Sequence, residues 1–190
     1  MRLWSGCFGV VLLVVGCKSR PDASDTGGAG RDGAAAAQAR QDSTVAYEST
    51  ANGALQVMSV SNPVNWFLVF RDSTPAIGGN PPLLNSTVEL APGEYQVDVN
   101  RTRRAVTIVA GRRTIVWTGD LVVEGGSTAD YWYPSQHGER RVTSNPPLVG
   151  RPLPLFPGSY LVIVHGSVTV PPDTLGPAEV IAGRTTTLRH

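Results

Sequence analysis

The chain has 190 residues, 16% of them charged, and a formal net charge of +1. So even a balance excludes the positive field on which nucleic-acid binding depends. Its two cysteines, Cys7 and Cys17, fall within the first seventeen residues, leaving the rest without a disulfide or a cysteine-based metal site.

The first element in chain order is a leader. Arg2 precedes the apolar run Gly9-Val10-Val11-Leu12-Leu13-Val14-Val15, and the small residue Gly16 closes it. This is the pattern of a secretory signal over residues 1–16. As a helix, residues 3–16 would reach about 21 Å, short of the roughly 30 Å that a permanent membrane span must cross. The tetrapeptide Val14-Val15-Gly16-Cys17 resembles a bacterial lipobox. That resemblance implies a diacylglycerol on the Cys17 sulfur, cleavage before Cys17 and acylation of the new amino group. Two or three acyl chains anchor a protein stably where one does not, so a membrane is the first expected partner. Lys18, where an Asp would retain a lipoprotein in the inner membrane, favours by the same resemblance the periplasmic face of the outer membrane. The alternative is an ordinary secretory signal with a cysteine at its end.

A lipidated linker is expected over residues 17–47. Residues 18–47 are nearly devoid of large apolar side chains and rich in Gly, Ala, Ser and Asp. Such a segment cannot bury enough surface to offset the entropy of ordering. As a random coil of thirty residues it would reach about 30 Å.

From residue 48 the pattern becomes period two. Tyr95, Val97 and Val99 alternate with Glu94, Gln96 and Asp98, the signature of half-buried strands. No 3.6-residue stripe with caps appears outside the leader, so the fold is expected to be all-β. Five segments then recur in the same order. Gly53-Ala54-Leu55-Gln56-Val57 matches Gly119-Asp120-Leu121-Val122-Val123, and Asn65-Trp66-Phe67 matches Tyr131-Trp132-Tyr133, both at offset 66. Asn80-Pro81-Pro82-Leu83-Leu84 matches Asn145-Pro146-Pro147-Leu148-Val149, and Leu90 to Tyr95 matches Leu155 to Tyr160, both at offset 65. Ala110 to Thr114 matches Ala182 to Thr186 at offset 72. The expected architecture is two tandem small antiparallel β-sandwich (Ig-like) repeats, over residues 48–118 and 119–190. Pro92-Gly93 and Pro157-Gly158 suit turns that launch strands. Ala110-Gly111 and Ala182-Gly183 read as hairpin turns. Trp66 and Trp132 are expected to anchor the two cores, with a ligand platform as the alternative reading.

The succession Gly-x-Leu-x-Val, Ser61-Asn62-Pro63, Leu-x-Pro-Gly-x-Tyr-x-Val and Val-x-Val-x-Ala-Gly-Arg resembles the PEGA-like, Ig-related carbohydrate-envelope modules of bacterial surface proteins. The likeness covers residues 53–118 and, more loosely, 119–190. The family's Pro-Glu-Gly-Ala stretch is replaced by Pro63-Val64-Asn65-Trp66.

Catalytic signatures are missing. His137, His165 and His190 are isolated and lack metal-ligand spacing. No nucleophile elbow, zinc-protease motif or phosphate loop occurs, so no cofactor is expected. The leading expectation is a non-enzymatic, membrane-anchored envelope lipoprotein that binds or scaffolds a polymer or protein partner. Arg101, Arg103, Arg104, Arg112 and Arg113 fall within thirteen residues free of Asp and Glu. If residues 104–110 and 112–118 formed a hairpin, these guanidiniums would gather as a cluster that binds carboxylate or phosphate, on an anionic envelope polymer or a lipid headgroup. The competing reading pairs them with Glu89, Glu94 and Asp98 on a solvated surface. Two further functional readings remain: an envelope hydrolase or its regulatory appendage, with a site around Trp132, His137 and Glu139, and a passive spacer. A solvated hairpin turn over Gln136-His137-Gly138-Glu139 competes with the catalytic one.

Overall fold

The computed structural model describes residues 40–61, 65–136, 140–141 (backbone only), 146–166 and 171–190. The leader, Cys7, Cys17, the Ser61-Asn62-Pro63 stretch beyond Ser61, and His137 and Glu139 lie outside them. The described residues form strands and turns and no helix. The protein is all-β.

Eight strands come first: β1 Ser43–Ala46, β2 Gly53–Met58, β3 Leu68–Arg71, β4 Thr74–Pro75, β5 Thr87–Leu90, β6 Gly93–Val99, β7 Thr102–Ile108 and β8 Arg112–Trp117. Seven follow: β9 Gly119–Glu124, β10 Tyr131–Gln136, β11 Arg140–Arg141, β12 Leu153–Leu155, β13 Gly158–His165, β14 Asp173–Val180 and β15 Thr185–Arg189. Among the described residues they form four sheets, ordered β1-β8-β2-β5, β4-β3-β6-β7, β12-β9-β15 and β11-β10-β13-β14. The ladders are antiparallel except β2–β8 and β9–β15, which are parallel.

Period-two patterning explains the strands. In β6, Tyr95 and Val97 are buried while Glu94 and Gln96 face water. In β13, Tyr160, Val162 and Val164 are buried in alternation. One core joins Leu55, Val57 and Val116 of one sheet to Val69, Val97 and Ile108 of its partner sheet. The other joins Leu121, Val123 and Leu155 to Trp132, Val162 and Val180. The packing is sandwich-like, apolar face on apolar face.

The hydrogen bonds repeat as the sequence does, with one correction of register. Phe67 N–H donates to the Pro82 carbonyl, and Trp132 N–H to that of Pro147. Trp132 therefore corresponds to Phe67, and Trp66 to Tyr131; the latter two hold matching isolated bridges to Leu83 and Leu148. The expectation that Trp66 anchors a core is wrong. Phe67 is fully buried, whereas Trp66 is 53% exposed. The strand-to-strand connection is one residue shorter in the second series, and a one-residue slip reverses the face a side chain meets.

The expected hairpins at Ala110-Gly111 and Ala182-Gly183 are likewise corrected. β7 pairs with β6, and β8 with β1 and β2, so the turn carries the chain across from one sheet to the other. Gly111 and Gly183 take the same φ of 69° there, a left-handed conformation that glycine adopts without cost. Pro92-Gly93 and Pro157-Gly158 also cross between sheets, launching β6 and β13. Tyr95 closes its crossing by donating from its hydroxyl to the Ala91 carbonyl at 2.8 Å, and Tyr160 to that of Phe156 at 2.6 Å. This is the arrangement of a tyrosine corner.

The strand β1 overturns the last part of the expected tether. Ser43–Ala46 is antiparallel to β8, with Val45 opposite Arg113. Thr44 and Val45 have the β-branched side chains that favour strands, and the unpaired edge of β8 supplies the backbone partners.

All described residues belong to one compact unit, and the two cores meet in it. Phe156 packs into the first core. Its N–H donates to the Thr102 hydroxyl at 3.1 Å, and that hydroxyl donates to the Val99 carbonyl at 2.6 Å. Asn100 donates from its amide to the Pro154 carbonyl at 2.9 Å. The tip of the β6–β7 hairpin is thereby fastened to β12.

Candidate functional site

The five arginines expected to act together are dispersed. Arg103 and Arg104 are neighbours on β7, so their side chains leave opposite faces. Arg104 pairs with Asp42 just before β1. Arg103 pairs through Nε with Asp98 at 3.0 Å. Arg112 and Arg113 lie on β8, in the other sheet. The single five-membered anion site therefore does not form, because the hairpin that would have gathered it is a sheet-to-sheet crossing. The competing expectation of carboxylate pairing holds for Asp98. Glu89 instead accepts from the Asn52 amide at 2.8 Å, and Glu94 from the Thr107 hydroxyl at 2.7 Å.

What remains of the cluster gains new neighbours. Arg101 and Arg103 line a cleft of about 480 Å³ together with Asn65, Trp66, Phe70 and, from the second series, Arg151. Pro146, Pro147 and Pro152 complete that wall. Its volume lies in the range of about 300–1,000 Å³ usual for small-molecule sites.

Each wall has a local cause. Arg101 follows Asn100 in a two-residue hairpin loop, with Val99 opposite Thr102. Both loop residues have positive φ, 48° and 64°, as a type I′ turn requires. Asn tolerates this well; Arg, in the place that usually holds Gly, is strained there. Asp98 steadies the loop by accepting from the Arg101 backbone N–H at 2.9 Å. The same carboxylate grips Nε of Arg103, whose guanidinium also lies 5.6 Å from the Phe70 ring. Arg103 is thus oriented by two partners, with its terminal nitrogens turned to solvent. Trp66 contributes a half-exposed aromatic face. Among the described residues, neither Arg101 nor Arg151 has a carboxylate partner in ion-pair range. The cleft holds three guanidiniums against the single carboxylate of Asp98.

Other titratable groups are placed differently. Asp120 is fully buried beside Ser59, whose hydroxyl lies 3.3 Å away. Burial pushes its carboxyl above the ordinary carboxylate range, and hydrogen bonds from Ser61 and Ser59 restrain the shift. It is sealed from solvent. His165 stacks on Tyr131 with ring centroids 5.0 Å apart and meets the Tyr133 hydroxyl at 3.2 Å. His190 lies 3.5 Å from Asp173. Among the described residues no group of His, Cys, Asp or Glu is arranged to hold a metal ion. Of the expected hydrolytic residues, Trp132 is fully buried, which removes it from contact with any substrate. His137 and Glu139 lie outside the described residues, as does the turn expected there. Cys17 does too.

Trp66 was expected first as a core anchor and only second as a ligand platform, and its signal in sequence sharpens once the register slip is recognised. Arg151 has none, since it reaches the cleft through the packing of the two series. No family model, curated protein or solved structure matches the chain.

Proposed function

We propose that the chain is a non-enzymatic binding or scaffolding lipoprotein of the bacterial cell envelope, anchored through Cys17 and facing the periplasm from the outer membrane. Its recognition face is the cleft between the β6–β7 tip and residues 146–153. The observation that carries this reading is the company of Trp66 with Arg101, Arg103 and Arg151 in one cavity. Large aromatics and arginines are what binding sites are enriched in. The anchor is supported by the apolar run that ends on Val14-Val15-Gly16-Cys17.

Two experiments test it. Metabolic labelling with palmitate should mark the wild-type chain and not Cys17→Ser; equal labelling, or none of either, refutes the anchor. Cross-linking in cells followed by affinity capture should recover an envelope component that Trp66→Ala fails to recover. Recovery of nothing in both cases leaves the chain a passive spacer and ends the binding proposal.

A further inference from the structure

Three features of the cleft constrain its ligand, taking as given the reading of the cleft as the recognition face. The first is the pairing of a flat ring with spaced positive charge. A Trp face packs on apolar C–H surfaces, and a guanidinium holds a carboxylate through two parallel N–H donors. A chain of sugar rings, each carrying one carboxylate, offers both surfaces at each repeat. An acidic peptide offers the charges but leaves the Trp66 face without a matched partner.

The second feature is Arg103. Asp98 occupies its Nε at 3.0 Å, which leaves the edge formed by the two terminal nitrogens for a planar anion. The third is Arg101. A strained backbone held in place by its neighbours is a device that recurs at ligand sites. Here the 64° φ of Arg101 directs a long cationic side chain to the cleft wall where Gly would relax the turn. From these we infer that the cleft binds a carboxylated polysaccharide, one ring lying on Trp66 while its carboxylates meet Arg101, Arg103 and Arg151.

The test uses the full chain in detergent, titrated calorimetrically with polygalacturonate, neutral dextran and polyglutamate at about 0.15 M salt. Polygalacturonate should bind at least about tenfold more tightly than either of the others, a difference of about 1.4 kcal/mol. Trp66→Ala and Arg151→Ala should each weaken it at least about tenfold. Arg101→Gly supplies a reading that a merely structural role would not give: it should raise the urea midpoint while weakening the polysaccharide. Equal binding of polyglutamate makes the ligand an acidic peptide and overturns the inference. So does equal binding of dextran, indifference to all three variants, or no binding. If polygalacturonate fails while Trp66-dependent capture from cells persists, only the ligand class falls. If that capture also fails, the cleft is not a recognition face.

Discussion

Thr102→Val is the sharpest test of how the two series of strands depend on each other. The substitution keeps the volume and removes one hydroxyl. That hydroxyl is 2% exposed as part of its residue, accepts from Phe156 N–H and donates to the Val99 carbonyl. Phe156 N–H would be left buried and unpaired, at a cost of about 1–3 kcal/mol. The loss at Val99 is smaller, because that residue remains paired with Thr102 across the hairpin. The net expectation is about 2 kcal/mol, a large share of the roughly 5–15 kcal/mol that holds a domain folded. With a urea dependence of about 2 kcal/mol per molar, the midpoint should fall by about 1 M. Thr114→Val is the control: its hydroxyl donates to the Thr107 carbonyl at 3.0 Å on an exposed surface, and its cost should stay within about 0.5 kcal/mol. Tryptophan fluorescence during urea unfolding reads both. Equal midpoints for the two variants would refute the claim that Thr102 couples the second series to the first.

Other outcomes follow from the packing. Trp132→Ala should cost about 3–5 kcal/mol and Trp66→Ala less than about 1 kcal/mol; circular dichroism melts would show the register correction mistaken if the order reversed. A Cβ at Gly119 would strike the Ile181 carbonyl and lie 2.8 Å from Val180 Cγ1, so Gly119→Ala should lose about 2–3 kcal/mol of stability, with no loss in urea melts counting against that close approach. Asp120 binds a proton more readily folded than unfolded, so its ionisation weakens the fold as pH rises above the ordinary carboxylate range. Asp120→Asn should remove that decline, raising the urea midpoint at pH 7 while changing it little at pH 3; a variant with an unaltered pH profile would refute the burial argument.

Much of the fold was legible in the sequence because strand patterning is local. The alternation from Glu94 to Val99 marks a strand whichever partner it takes, and Pro-Gly marks where a strand begins. Which partner it takes is a matter of pairing between distant residues. Ala110-Gly111 looks the same whether it closes a hairpin or carries the chain to the opposite sheet. Ser43–Ala46 reads as tether because its short side chains bury little; the free edge of β8 makes it a strand. The arginine run misled for the related reason that nearness in sequence is not nearness in space. Arg103 and Arg104 part company at one peptide bond, whereas Arg151 joins Arg101 from fifty positions away. The exposed Trp66 was hidden by a single missing residue in the repeat.

The strand β1 also decides how the body bears load. Any pull applied upstream of Arg40 reaches the body through the Arg40 N–H bond to the Ala182 carbonyl at 3.1 Å and through four paired residues on β8. Alongside them stand the Asp42 pair with Arg104, the Asp42 bond to Trp117 N–H at 3.1 Å and the Arg40 guanidinium 4.3 Å from the Trp117 ring. These contacts lie at a sheet margin and outside either core. Tension would therefore strip this strap from its margin while both cores stay closed, freeing a few more residues of chain and sparing the cleft, as a fuse gives way ahead of the circuit it protects.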